Sequence, residues 1–126
     1  MIKLVSKGGF DKTTNYLKKL KASQYGQIIE KYAKQGVEEL SNATPVRTGL
    51  TAASWSYVIQ NDTPGRWVIE FHNSNVNEYV NIALILDAGH ATKSGSWVEG
   101  KHYIDPALEP IIQGLSKDLW EEVARV

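Results

Sequence analysis

Apolar residues recur along this chain at two periods, and the switches between them divide it into elements. Ile28, Ile29, Tyr32, Ala33, Gly36, Val37 and Leu40 fall at spacings of three and four, which predicts an amphipathic helix from Gln24 to Asn42. Gly36 lies on that apolar stripe. A glycine inside a helix costs about 1 kcal/mol relative to alanine, so its place there predicts close approach of another element. Upstream, Asp11 offers an N-cap for a helix reaching Ala22, with Phe10, Leu17 and Leu20 apolar and the lysines outward. Ile2 to Val5 reads as a short edge strand ended by Gly8-Gly9. Pro45 disfavours helical geometry at Thr44 and stops the second helix near Asn42.

The period then changes to two. Trp55, Tyr57 and Ile59 alternate with Ser54, Ser56 and Val58, and Trp67, Ile69 and Phe71 alternate with Val68, Glu70 and His72. With Asn61-Asp62-Thr63-Pro64-Gly65 between them, the segments Ala52 to Gln60 and Arg66 to Asn73 predict an antiparallel hairpin. Asn77 to Ala88 is apolar nearly all round and reads as a buried helix, although periodicity alone does not separate this from a buried strand. Residues 89–103, rich in glycine and small polar groups, read as a long loop or mobile hairpin.

A last helix is predicted from about Pro106 to Ala124, with Asp105 as N-cap and Leu108, Ile111, Ile112, Leu115, Leu119 and Val123 as its buried stripe. Pro110 conflicts with the turn before it, which places the start of regular helix at Glu109 or Pro110. The expected fold class is α+β: a small antiparallel β-sheet packed with two N-terminal helices, a short central helix and a C-terminal helix. Residues 1–126 read as a single domain, long enough for one core.

Composition narrows the function classes. The chain has no cysteine, so it carries neither a disulfide framework nor a thiolate metal site. No apolar run approaches the roughly 20 residues of a membrane-spanning helix, and the first residues lack the apolar core of a signal peptide. The expectation is a protein that matures inside a cell and does not engage a membrane. Fourteen basic and fourteen acidic residues cancel. Their distribution is uneven: residues 1–34 hold eight lysines against Asp11 and Glu30, an excess of six positive charges, and the remainder has a net charge of −6. Such a run commonly forms a solvated helix face; between copies of one chain it would supply charge complementarity.

Candidate chemistry fails on inspection. Gly95 to Lys101 approaches a phosphate-binding loop, but His102 stands where a Ser or Thr would hold magnesium and Glu99 would enter the phosphate cradle. His72, His90 and His102 show no metal-ligand spacing; His102 near Asp105 and His90 near Asp87 suggest local hydrogen bonds instead. No Gly-x-Ser-x-Gly elbow is present. Glu38-Glu39 and Glu121-Glu122 are adjacent on helices and point apart. No cofactor and no catalytic residue is expected. Of the four tryptophans, Trp55 and Trp67 belong to the hairpin core and Trp120 lies near the last apolar stripe. Trp97 sits in a polar, glycine-bounded segment, where it either folds back on its own domain or serves an interface.

Three ordered blocks carry a resemblance. Thr44-Pro45-Val46-Arg47-Thr48-Gly49-Leu50 followed by Ser54-Trp55, then Ile82 to His90, then Gly100 to Leu108, resemble the tail-component family of tailed bacteriophages that includes head–tail joining and tail-completion proteins. The chain departs from that family's usual pattern at Arg47, where an acid is common, at Asp87 for Glu, and at His90 for Thr. The resemblance implies a structural virion protein without enzymatic activity, located at the head–tail interface and assembled in the bacterial cytoplasm. It implies a homo-oligomeric ring, expected to be a hexamer, stacked on connector or stopper proteins and on a tail terminator or tail tube, with genomic DNA passing through without sequence-specific binding. Arg47, His90, Lys93, Trp97, Glu99 and Lys101 are the expected interface residues. The alternatives are a tail terminator or minor capsid protein, and more distantly a small DNA-binding module using the N-terminal lysines or a soluble enzyme.

Overall fold

A computed structural model of the chain describes residues 2–5, 22–45, 49–63 and 66–124. The fold is α+β, with small antiparallel sheets and helices. Strand β1 (Ile2–Val5) precedes a long helix α1 (Ala22–Ala43), a single helical turn α2 (Leu50–Ala53) and the hairpin β2 (Trp55–Thr63) and β3 (Arg66–Asn73). Two short strands, β4 (Val76–Asn77) and β5 (Val80–Asn81), lead into helix α3 (Ile82–Ala88). A second small hairpin, β6 (Gly89–Ala91) and β7 (Trp97–Glu99), leads to the closing helix α4 (Ile104–Ala124). The helix expected over Asp11 to Ala22 lies outside the described residues except for Ala22, which opens α1.

The main sheet has the order β1-β3-β2, antiparallel throughout. Ile2 stands opposite Phe71 and Val5 opposite Val68 on one side of β3, while Trp55 stands opposite Asn73 and Ile59 opposite Ile69 on the other. The central position of β3 explains a departure from simple alternation. Ile69 and Phe71 are buried as expected, but so are Val68 and Glu70 on the other face. Buried Glu70 takes its neighbour's ring as a partner, with His72 Nε2 3.0 Å from its Oε2. On edge strand β2 the alternation is clean: Trp55 is buried while Ser56 and Val58 are exposed.

One stripe of α1, from Tyr25 through Ile29, Ala33 and Leu40, enters the core and touches both the sheet and α4. Gly36 lies on that stripe, and a Cβ there would stand 2.5 Å from Phe71 Cζ. The close approach expected from sequence is thus the phenyl ring of the central strand.

Two boundaries, and the exposure of two side chains, differ from expectation. Strand β2 begins at Trp55, not Ala52, because Leu50 to Ala53 close a helical turn in which Ser54 Oγ–H also donates back to Leu50 O. Helix α4 runs without a break from Ile104 through Pro110. The proline removes one N–H, whose partner would be the Pro106 carbonyl; both residues are exposed, so that carbonyl is left to water rather than to the core. Ile112 and Trp120, assigned to or near the buried stripe, are about half exposed instead.

Candidate interaction surface

Thr44, one residue beyond α1, is nearly fully buried. Its hydroxyl donates to Leu40 O and accepts the indole N–H of Trp55 at 2.8 Å. The helix stop therefore doubles as the anchor of the first long strand. Thr51 continues the same join: its carbonyl accepts from Asn73 Nδ2 at 2.8 Å and its hydroxyl from Asn75 Nδ2 at 2.8 Å. These bonds satisfy polar groups that burial would otherwise penalise.

The other two sequence blocks converge on this point. Tyr103 is buried beside Trp55, Leu40 and Ala83 in one core cluster, and its hydroxyl donates to Ala83 O at 2.7 Å. Burial pushes the Tyr103 phenol up from its ordinary value; the Thr44 hydroxyl acts the other way, and the Asp87 charge adds to the rise. The C-terminal end of α3 is closed by the strand that returns from the hairpin. Lys101 N–H donates to Leu86 O at 2.8 Å and His102 N–H to Asp87 O at 3.1 Å. Asp87 Oδ1 accepts the Ile104 N–H at 3.0 Å, so α4 is capped by Asp87 and not by Asp105, which sits in its first turn. Gly100 is buried against this end of α3, where a Cβ would overlap the Asp87 carbonyl.

From that fixed base the β6–β7 hairpin projects. Its register pairs Gly89 with Glu99, His90 with Val98 and Ala91 with Trp97. The tip is organised by Thr92: its N–H donates to Ser96 O at 2.7 Å and its Oγ1 accepts from Ser96 N–H at 3.1 Å. The segment read as a long loop or mobile hairpin is thus a hydrogen-bonded hairpin. Trp97 keeps 60% of its surface exposed, while its ring edge lies over Gly89. A Cβ on Gly89 would stand 2.8 Å from Trp97 Cζ2.

Five of the six residues singled out from sequence lie on or beside this hairpin; Arg47 is outside the described residues. They do not form one cluster. Trp97 and Glu99 share one face, His90 and Val98 the other, Lys93 is at the exposed tip, and Lys101 is beyond the base. The two local histidine bonds expected are not formed. His102 Nε2 lies 3.5 Å from Glu99 Oε1, not at Asp105. His90 Nδ1 is buried without a hydrogen-bond partner among the described residues, Asp87 being spent on the α4 cap.

Sequence reasoning missed the hairpin on the other side of α3. Tyr79 and Val80 fall in the buried helix expected from Asn77, but β4 and β5 pair as Val76 to Asn81 and Asn77 to Val80. Val76 and Val80 are exposed and Tyr79 is completely so. Regular helix begins only at Ile82, capped by Asn81 Oδ1, which accepts Leu84 N–H at 3.4 Å. The available signal was the asparagine spacing. Asn73, Asn75, Asn77 and Asn81 favour turns and caps, and Asn73 Oδ1 indeed accepts the Asn75 N–H at 3.0 Å. The surface therefore consists of α3, a helix about 10 Å long, flanked by two short hairpins with exposed apolar side chains.

Among the described residues no group of three or more His, Asp or Glu could hold a metal ion, and no helix is long and apolar enough to cross a membrane. No protein-family model matches the chain, and neither a curated protein nor a solved structure matches it.

Proposed function

We propose that this chain is a structural, non-enzymatic virion protein of a tailed bacteriophage or prophage, a tail-completion or neck component that forms a ring joining capsid and tail. The observation that carries the reading is the convergence of the three sequence blocks that resemble such proteins. Thr44 and Trp55 of the first, Ala83 and Asp87 of the second, and Tyr103 and Ile104 of the third meet in one set of buried contacts. Blocks scattered over the chain by chance have no reason to meet in one place.

The contacts serve architecture. They hold the base of the β6–β7 hairpin, whose exposed Trp97 and Val98 offer the kind of aromatic and aliphatic anchor that dominates protein interfaces. A ring, with a hexamer as its expected size, needs a head-to-tail contact that closes by rotation. The excess of positive charge before residue 35 and of negative charge after it suits such a contact.

The test is a paired variant. Trp97→Ala with Val98→Ser alters side chains that lie outside the buried core cluster and keeps the buried contacts at the hairpin base. Deleting Ser94 to Glu99 removes β7 as well and is the stronger lesion. Both are expected to give heads and tails that do not join. Normal yields of infectious particles from both would overturn the proposal.

A further inference from the structure

Strand β2 is nine residues long and lies at an edge of the main sheet. Its ladder fixes which of its backbone groups face away from β3. The Ser74 N–H donates to Ser54 O at 3.1 Å, and this pair continues the register in which Ser56 stands opposite His72 and Val58 opposite Glu70. Hydrogen-bonded and non-bonded pairs alternate along an antiparallel ladder, so Ser56, Val58 and Gln60 bond to β3. Tyr57 and Ile59 therefore point their N–H and C=O groups outward. Among the described residues no backbone group meets them there.

An open strand edge is a template for a further strand, and proteins guard such edges with charge, proline, a bulge or brevity. The opposite edge of this sheet is guarded: β1 has four residues, Lys3 among them. On β2, residues 55–61 include no charge, proline or glycine, and the register shifts only after Gln60. Val58, at the centre of that stretch, is 46% exposed, and Ser56 and Gln60 on the same face are exposed too. The carboxylate beside the strand is balanced. Glu30 accepts from the Tyr57 hydroxyl at 3.4 Å and lies 3.6 Å from Lys34.

The stretch is its own complement. Set antiparallel to a second copy about an axis through Val58, it places Tyr57 opposite Ile59 and Ser56 opposite Gln60, each twice, and Val58 opposite Val58. Each Tyr57–Ile59 pair exchanges the outward N–H and C=O groups in two hydrogen bonds. An aromatic side chain then faces a β-branched one, and no like charges stand opposite each other. We infer that two copies of the chain pair through β2, antiparallel and centred on Val58, so that their two three-stranded sheets become one. The contact is the same surface on both copies and closes on itself. It goes beyond the ring reading, which needs a different, head-to-tail contact, and does not rest on it.

The chain has no cysteine, so single cysteines at exposed, uncharged positions read out the register. Val58 opposite Val58 is a non-hydrogen-bonded pair with Cα atoms about 4.5 Å apart, within disulfide reach. Two copies of Ser56 stand about 13 Å apart along the strands, too far for a bridge. Under mild oxidation of the full chain at about 0.1 mM, where contacts with Kd of that order are populated, Val58→Cys is expected to give at least about tenfold more covalent dimer than Ser56→Cys. Mixing Ser56→Cys with Gln60→Cys is expected to give the mixed dimer. Without any cysteine, Val58→Lys sets like charges at the axis and is expected to weaken dimerisation at least about tenfold in sedimentation, with an unchanged circular dichroism spectrum. Equal yields from Val58→Cys and Ser56→Cys would mean random collision and overturn the inference. So would a parent chain that stays monomeric at that concentration, or a Val58→Lys chain that dimerises as the parent does. A ring found in particles while Val58→Cys gives no dimer removes this contact and leaves the ring reading standing.

Discussion

Gly36 and Thr44 show how single positions decide this fold. Gly36 sits in a helix, where alanine would be better by about 1 kcal/mol. The Phe71 ring occupies the space a methyl group would need, and overpacking of a tight core costs about 1–3 kcal/mol. The steric term wins, so Gly36→Ala is expected to lower the urea midpoint, and adding Phe71→Leu to restore part of the loss; a stabilised single variant would contradict the packing described. This site was legible in sequence because glycine on an apolar helical stripe has few other reasons to be there. Thr44 was legible only as a helix stop. Its hydroxyl serves Leu40 O, one helical turn back, and the indole N–H of Trp55 beyond the turn, a partner that only the fold brings to it. Thr44→Val keeps the shape, strands the Trp55 N–H, and is expected to cost about 1–3 kcal/mol in equilibrium unfolding.

Tyr32 adds a pH dependence at the same scale. Its hydroxyl donates to Asp118, and this bond, then burial, holds the phenol up to about 12 against an ordinary 10.0. The folded chain therefore keeps a proton that the unfolded chain has lost once pH exceeds 10. Stability from this group is complete below that pH and is lost as pH rises toward 12. Tyr25 and Tyr103 are shifted in the same direction, chiefly by burial. Unfolding midpoints measured from about pH 9 to 12 are expected to fall, less steeply in Tyr32→Phe. Equal slopes in parent and variant would remove Tyr32 from the account.

At the scale of elements, legibility followed the strength of the period. The long helix α1 and the β2–β3 hairpin repeat their pattern over enough residues to be read correctly, and β1 matches the segment Ile2–Val5. Asn77 to Ala88 was misread because Tyr79 and Val80 stand only one residue, Asn81, before the apolar helix that follows, while their burial is opposite. Apolar character there marks the core in one half and exposed surface in the other. Pro110 was overweighted: a missing hydrogen bond at an exposed position leaves its carbonyl to solvent, so the helix passes through. The α4 start was misplaced because its cap comes from Asp87, in another element. Asp87→Ala is expected to cost about 0.5–2 kcal/mol and to speed hydrogen exchange at the Ile104 amide. Unchanged exchange there would show that the cap is dispensable.

At the scale of the whole molecule, the buried contacts among the three sequence blocks leave the two small hairpins as the parts that face outward. Five of the six expected interface residues fall on or beside one of these hairpins, which glycine and small polar residues made recognisable as a projecting segment. The other hairpin was signalled only by its asparagines, since nothing in the apolar pattern distinguishes an aromatic turned to solvent from one turned to the core.

The claim that these surfaces build a connector is tested most directly by electron microscopy of intact particles produced from the genome that encodes this chain. The account predicts a closed ring of this chain, coaxial with the DNA channel, between capsid and tail. Particles whose neck lacks the chain, or that hold it only in the capsid shell or at the far end of the tail, would contradict it.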